Sequence, residues 1–193
     1  MYMYEPAIIK ETSEGTTRYS IADALFTRRE IQCVGSVDTD MVNSLIAQIR
    51  YLAAEDPNGE ITMYINSPGG SVPDGMALLD VMQAIPCPIH TVCVGTAASM
   101  ASLLFVVGDT RDMLEHSRLM IHDPLMQGVS GSALKIETLT KNLLKSRETI
   151  GKIYAKVSGK TLDEIYALTC EDTWLDAQTA LDMGFADRII DRI

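Results

Sequence analysis

Cysteine and histidine are scarce in this chain of 193 residues, and their spacing does not match that of a zinc site. The four cysteines form no C-x-x-C pair, and only His90 lies near any of them, which argues against a metal site of the zinc type. We expect free, buried thiols in a reducing compartment. The chain also starts without a charged segment leading into an apolar one, so we predict no secretory signal and a cytoplasmic location. The cysteines are Cys33, Cys87, Cys93 and Cys170.

Positive charge is in deficit as well. Lys and Arg total 16 against 26 Asp and Glu, and a net charge of −10 argues against binding to nucleic acid or to an anionic membrane. An uncharged run at 91–108 is long enough to span a bilayer, but Gly95 interrupts it and Pro86 and Pro88 precede it. We therefore predict a buried strand followed by a buried helix in this run, and no membrane segment.

Strand-like and helix-like segments alternate along the chain, which predicts an α/β fold. The length fits a single domain over residues 21–193, whereas residues 1–20 are polar without periodicity and are expected to form a flexible arm. The predicted strands cover residues 31–35, 61–65, 89–94 and 118–122. The predicted helices begin at Asp38 or Thr39, near residue 73, near residue 98, at residue 132, at Thr161 and at Asp176. The helix from 132 to 157 is the longest of them.

Ser99 is the first candidate for chemistry. It lies where a predicted strand passes into a helix, so its hydroxyl would be close to the unpaired N–H groups of the helix start. The small residues Ala97, Ala98 and Ala101 would allow a sharp backbone turn and the close approach of a substrate. The same segment is also compatible with a plain helix cap and alanine packing, because serine is a preferred cap residue.

Two further segments could complete a hydrolytic site. Residues 67–70, Ser-Pro-Gly-Gly, could turn backbone N–H groups toward a developing oxyanion, although an ordinary turn is the alternative. His122 ends a predicted strand, whereas His90 is expected in the core and His116 in a solvated turn. A neutral imidazole can activate a serine hydroxyl, and a carboxylate must then orient the ring. The residues alone leave fifteen aspartates as candidates for that carboxylate.

Four stretches, in this order and at this spacing, resemble the proteolytic subunit of the ATP-dependent Clp protease (ClpP). They are INSPGGSV at 65–72, VGTAASMAS at 94–102, SRLMIHDP at 117–124 and EDTWLDAQTALDMGFAD at 171–187. The resemblance covers roughly residues 17–190. It implies a ClpP/crotonase-like spiral of β-β-α units, with a strand–helix handle protruding at about 125–157, and a serine endopeptidase that acts on unfolded polypeptides.

The resemblance also implies a role for individual residues. Ser99 is the implied nucleophile, His122 the general base and Asp172 the orienting carboxylate. The remaining implied roles are oxyanion binding by the backbone N–H groups of Gly70 and Met100, and substrate binding at Gly69 and Ser71. No metal and no cofactor are implied for this chain, because ATP would be used by a partner ATPase, and the sequence has no phosphate-binding G-x-x-x-x-G-K-[ST] loop.

The implied assembly is a pair of heptameric rings stacked into a fourteen-subunit barrel that works with a Clp-family AAA+ unfoldase. Several positions depart from the family pattern and bear on this assembly. Cys170 and Glu171 stand where many members carry an acidic residue and an Arg that bridge the rings, and Glu171 beside Asp172 adds like charge. Other departures are Thr62 and Ala84 at positions of the ATPase-docking pocket, where Tyr64 keeps an aromatic ring, and Ala101 and Asp123 beside the implied triad. A mixed ring with a ClpP paralogue is therefore an alternative to a homomeric one.

Two other functions remain open at this point. A crotonase-type acyl-CoA hydratase or isomerase could use the same glycine-rich oxyanion donors without a triad. A regulatory ring subunit would instead depend on an active ClpP paralogue for hydrolysis.

Overall fold

Helices and strands alternate along most of the chain in the computed structural model, which describes residues 6–13 and 15–193. The strands are β1 (Ala7–Thr12), β2 (Gly15–Ser20), β3 (Glu30–Val37), β4 (Ile61–Gly70), β5 (Ile89–Ala98), β6 (Thr110–Leu114), β7 (Arg118–Ile121), β8 (Thr173–Asp176) and β9 (Arg188–Ile190). The helices are α1 (Ile21–Thr27), α2 (Thr39–Glu55), α3 (Val72–Ala84), α4 (Met100–Val106), α5 (Ala133–Ser158), α6 (Leu162–Thr169) and α7 (Ala177–Asp182). The predicted α/β class is confirmed.

The main sheet is largely parallel and has the order β3-β4-β5-β6-β9. The long strand β5 pairs with β4 on one side and with two strands on the other, where its first half pairs with β6 and its last three residues pair with β7. Strand β8 then pairs antiparallel with β7. The ends of β4, β5 and β7 thereby come together at one edge of the fold.

The core lies between this sheet and the helices packed on it. Helix α4 is buried along its whole length, as its uncharged sequence predicts, and a run of apolar residues without a polar face is stable only inside a protein. Among the described residues, no helix is long and apolar enough to cross a membrane.

The helix boundaries follow the capping signals of the sequence. Asp38 caps α2 through a hydrogen bond from the Met41 N–H, and Thr161 and Glu164 form the predicted capping box of α6. Gly159 ends α5 in the left-handed region at φ 70°, where glycine has no Cβ to clash.

The N-terminal segment carries more regular structure than the sequence predicts. Strands β1 and β2 form an antiparallel hairpin, and Ser20 opens the short helix α1. Most hairpin residues are exposed, so their order comes from backbone pairing and not from the burial pattern on which the prediction relied. Residues 1–5 of the predicted arm lie outside the described residues, and the division into arm and domain stays a prediction.

Helix α5 extends away from the core at its N-terminal end. Its buried residues are Ile150, Gly151 and Tyr154, whereas the side chain of Leu134 is 75% exposed. Residues 122–132, which lead into the helix, form neither strand nor helix. Most of the expected handle is therefore helical, whereas residues 122–132 form no strand with any part of the chain that the structure describes. The handle itself stays a prediction.

Candidate active site

Ser99 is held in a strained turn between β5 and α4. Its backbone adopts φ 53° and ψ −123°, a conformation that costs a residue with a side chain on the order of 1–3 kcal/mol. The Ser99 N–H donates to the Met120 carbonyl oxygen at 2.9 Å, which ties the turn to β7. Within the described chain the Ser99 hydroxyl caps no N–H group of α4, so the plain helix-cap alternative is wrong. The hydroxyl is directed to another partner.

That partner is His122, whose Nε2 lies 2.7 Å from Ser99 Oγ. The contact follows from the sheet register. Ala98 and Met120 are the last paired residues of β5 and β7, so Ser99 and His122 both stand just beyond the ends of neighbouring parallel strands. The ring is mostly buried, with 14% of the side chain exposed. At this distance a neutral imidazole can accept the hydroxyl proton.

Asp172 lies on the other side of the ring, with Oδ1 3.4 Å from His122 Nδ1. Strands β7 and β8 are antiparallel with Ile121 opposite Thr173, and one further step along both strands places His122 opposite Asp172. The distance is longer than that of a good N–H···O hydrogen bond, about 2.7–3.2 Å. The carboxylate is also 68% exposed, so it is the least enclosed member of the three.

The glycine pair of β4 borders Ser99, although the sequence suggested a loop there. Both glycines belong to the strand, and Gly70 pairs with Val37 of β3. A Cβ atom at Gly69 would lie 2.7 Å from Ser99 Cβ and 2.8 Å from the Met100 nitrogen. Only glycine fits so close to the serine turn, particularly at φ 89°.

The two implied oxyanion donors lie on different elements: Met100 begins helix α4, and Gly70 ends strand β4. Met100 is the first residue of α4, and the N–H of such a residue has no acceptor within its own helix. Its side chain is packed on Gly75 of α3, where a Cβ would lie 2.2 Å from Met100 Cγ, and this contact fixes the residue. Gly70 is next to Ser71, whose N–H donates to the Val37 carbonyl oxygen at 2.8 Å. Ser71 itself caps α3. The oxyanion roles implied for Gly70 and Met100, and the substrate-binding roles implied for Gly69 and Ser71, stay predictions.

Sequence reasoning missed two residues that support the serine turn from behind. Ser102 Oγ donates to the Ser99 carbonyl oxygen at 2.6 Å, and it lies 2.6 Å from the Tyr154 hydroxyl. Because the Ser102 proton is engaged by Ser99, Tyr154 is the donor in the second bond. Tyr154 is buried, and burial raises the pKa of its hydroxyl, so it remains protonated and able to donate. The i, i+3 spacing of the two serines was the available sequence signal.

The other histidines and the cysteines have different surroundings. His90 Nε2 lies 2.8 Å from Asp112 Oδ2, and His116 is exposed, in agreement with the predictions for both. All four cysteines are free, but Cys170 is exposed, so the expectation of burial is wrong for that residue. Burial raises the pKa of Cys33 to about 12 and that of Cys93 to about 11, which keeps both as unreactive thiols.

The part of the chain that the structure describes contains no group of three His, Cys, Asp or Glu side chains that could hold a metal ion.

The comparison with known families adds one finding. A family model for Clp protease matches residues 13–193, nearly the whole chain, and supports a Clp-type peptidase with a ClpP/crotonase-like fold. This match includes every residue of the serine, histidine and aspartate arrangement. The chain belongs to the Clp protease family.

Proposed function

We propose that this protein is a serine endopeptidase that cleaves unfolded polypeptides through an acyl-enzyme. The observation that carries the proposal is the continuous contact from Ser99 Oγ to His122 Nε2, at 2.7 Å, and from His122 Nδ1 to Asp172 Oδ1, at 3.4 Å. A hydroxyl, an imidazole and a carboxylate in this sequence of contacts can generate a nucleophile near neutral pH.

In the first half of the reaction, Ser99 Oγ attacks the peptide carbonyl carbon while its proton passes to His122 Nε2. Asp172 stabilises the imidazolium that forms. The carbonyl oxygen becomes negatively charged and accepts hydrogen bonds from backbone N–H groups, for which Met100 and Gly70 are the candidates. His122 then gives the proton to the departing amine, the C–N bond breaks, and the acyl group stays on Ser99.

In the second half, water attacks the acyl carbon and loses a proton to His122. The ester bond breaks, His122 returns the proton to Ser99 Oγ, and the new carboxylic acid leaves. The residues that carry these steps belong to the chain itself, so we propose no cofactor for it, and any ATP is used by a partner.

We further propose that the protein works in stacked heptameric rings. Large apolar side chains on the protruding part of α5 and just before it are exposed, and a second ring would bury them: Leu125, Met126, Leu134, Ile136 and Leu144. The ring could be homomeric or shared with a paralogue.

We propose that a partner AAA+ unfoldase docks in a cavity of about 420 Å³, whose apolar lining includes Tyr64, Leu25, Val34 and Val94. Burial and the nearby Glu30 carboxylate raise the pKa of the Tyr64 hydroxyl, so the ring presents an uncharged aromatic surface. Such a cavity suits an apolar peptide segment, and we place the complex in the cytoplasm.

A regulatory ring subunit is the second candidate function, favoured by the exposure of Asp172. A carboxylate on the rim can be moved by an adjacent subunit, and an isolated chain would then be inactive. Mixing the protein with an active paralogue separates the two cases. In a regulatory ring, Ser99→Ala leaves the activity of the mixture unchanged.

The direct test compares wild type with Ser99→Ala, and uses Ser36→Ala, an exposed serine of β3, as the matched control. We expect Ser99→Ala to abolish hydrolysis of a fluorogenic peptide and labelling by a serine-directed phosphonate, whereas Ser36→Ala keeps both. Solution mass is measured on the same samples to compare assemblies. Equal turnover by Ser99→Ala and wild type would rule out the proposed mechanism.

A further inference from the structure

The residue after the proposed base, Asp123, joins three elements of the structure. Its Oδ1 accepts a hydrogen bond from Thr169 Oγ1 at 2.6 Å, and its Oδ2 accepts one from Arg147 Nε at 2.5 Å. Its backbone N–H donates to the Thr169 carbonyl oxygen at 2.7 Å. The end of β7, the end of α6 and the helix α5 therefore meet at one side chain.

These bonds tie down the start of the loop that carries Asp172 and leave the carboxylate itself exposed. Thr169 is the last residue of α6, and it precedes Asp172 by three residues. On the other side of the loop, Thr173 Oγ1 donates to the Leu168 carbonyl oxygen at 2.6 Å. Asp123 ties the start of this loop to the strand of His122 through two bonds, one from its side chain and one from its backbone N–H. Only the side-chain bond is lost when Asp123 is replaced.

Arg147 completes the arrangement from α5. Its guanidinium lies 3.7 Å from the centre of the Tyr166 ring while it pairs with Asp123, so it is held on two sides. Asp123 is 32% exposed and Arg147 30%, which shields the pair from solvent more than the ion pairs elsewhere on α5. The positive charge also offsets a carboxylate that would otherwise add negative charge beside His122.

We propose that Asp123 is a positioning residue that sets the distance between His122 and Asp172. The inference rests on the proposed serine mechanism. Both carboxylate oxygens of Asp123 are taken by Thr169 and Arg147, so it acts through the loop and does not touch the reacting atoms. Loss of Asp123 leaves the Asp172 loop tied less firmly to β7, and a contact that already measures 3.4 Å lengthens.

The test measures kcat and KM for Asp123→Ala and for the milder Thr169→Val, each alone and combined with Asp172→Asn. We expect Asp123→Ala to lower kcat by roughly 100-fold, the typical effect of a misplaced catalytic group, with KM unchanged. Thr169→Val should have a smaller effect in the same direction, and Asp123→Asn, which keeps an acceptor for Thr169, should recover part of kcat. Lys152→Met, which breaks another ion pair of α5 with Glu148, is the matched control and should leave kcat unchanged.

The combined variants separate positioning from general damage. In the Asp172→Asn background, Asp123→Ala should cause almost no further loss, because residues that act as one unit are not additive. An equal fold-loss of kcat in both backgrounds, or an unchanged kcat for Asp123→Ala, would overturn the proposal. Where turnover is too slow to follow, the rate of phosphonate labelling of Ser99 replaces it.

A crystal structure of the Asp123→Ala protein tests the inference apart from activity. We expect His122 Nδ1 and Asp172 Oδ1 to separate beyond about 4 Å, the limit of an ion pair. If the distance stays at the wild-type value, the inference is wrong even where the serine mechanism holds. If Ser99→Ala is as active as wild type, the proposed function fails and Asp123 loses its role in catalysis, whereas an increased distance would still show that Asp123 sets the position of Asp172.

Discussion

Replacement of Ser99 by glycine should give a more stable protein than replacement by alanine. Both variants lose the hydroxyl and its bond to His122, so that contribution cancels in the comparison. What differs is the backbone. Alanine keeps a Cβ in the conformation at φ 53° and ψ −123°, which costs about 1–3 kcal/mol, and glycine removes this cost.

The expected difference is smaller than the strain itself. Glycine loses more conformational freedom on folding than alanine, and this effect amounts to about 0.5–1 kcal/mol in the opposite direction. The net advantage of Ser99→Gly should therefore be about 1 kcal/mol. For a chain of this length that corresponds to a difference of roughly 2–4 °C in melting temperature.

The assay is thermal unfolding of both variants at one protein concentration, since assembly makes the melting temperature depend on concentration. The same pair of substitutions at Ser44, an exposed residue inside α2, is the matched control. There alanine should be the more stable by about 1 kcal/mol, because glycine disfavours a helix interior. If Ser99→Ala is as stable as Ser99→Gly, or more so, the serine turn is not strained and the reasoning fails.

Three further predictions follow from single contacts. Gly69→Ala would place a Cβ 2.7 Å from Ser99 Cβ, so we expect loss of peptide hydrolysis with a lowered melting temperature, and normal turnover would contradict it. Tyr154→Phe removes the donor to Ser102 and should lower the free energy of unfolding by about 1 kcal/mol in urea titrations; no change would show that the buried hydroxyl bond is dispensable. Hydrogen bonds with Thr179 lower the pKa of Asp176, the cap of α7, below the ordinary value of an aspartate. The cap should therefore add stability at neutral pH and lose it as the pH falls through that lowered value, so wild type and Asp176→Ala should differ at pH 7 and converge in strong acid.

Much of the fold could be predicted because the signals were local. Asp38 and the Thr161–Glu164 pair mark helix starts by hydrogen bonds that span three residues, and such bonds can be read from spacing alone. The hairpin of β1 and β2 could not be predicted in this way, since its residues are mostly exposed and show no alternation. Its stability depends on cross-strand backbone bonds that composition does not record.

The same distinction between local signals and distant strand pairing applies to the residues of the candidate site. Ser99 and His122 could be selected from the residues, because each stands at the end of a predicted strand in a chemically suggestive context. Asp172 could not, because its approach to His122 depends on the register of the short strand β8 with β7. Among fifteen aspartates only the family resemblance indicated it, and no local pattern marks a residue that becomes relevant through antiparallel pairing.

The parts of the site differ in how firmly the fold holds them, and this difference has a consequence for regulation. The turn of Ser99 is fixed from several sides, by the Met120 carbonyl, by Ser102 and by the close approach of Gly69. A strained conformation persists only where its surroundings determine it so completely. Asp172, by contrast, is exposed, so in the proposed ring an adjacent subunit can alter its distance from His122 without disturbing the core. Control of activity by assembly should therefore act on the carboxylate and leave the nucleophile in place.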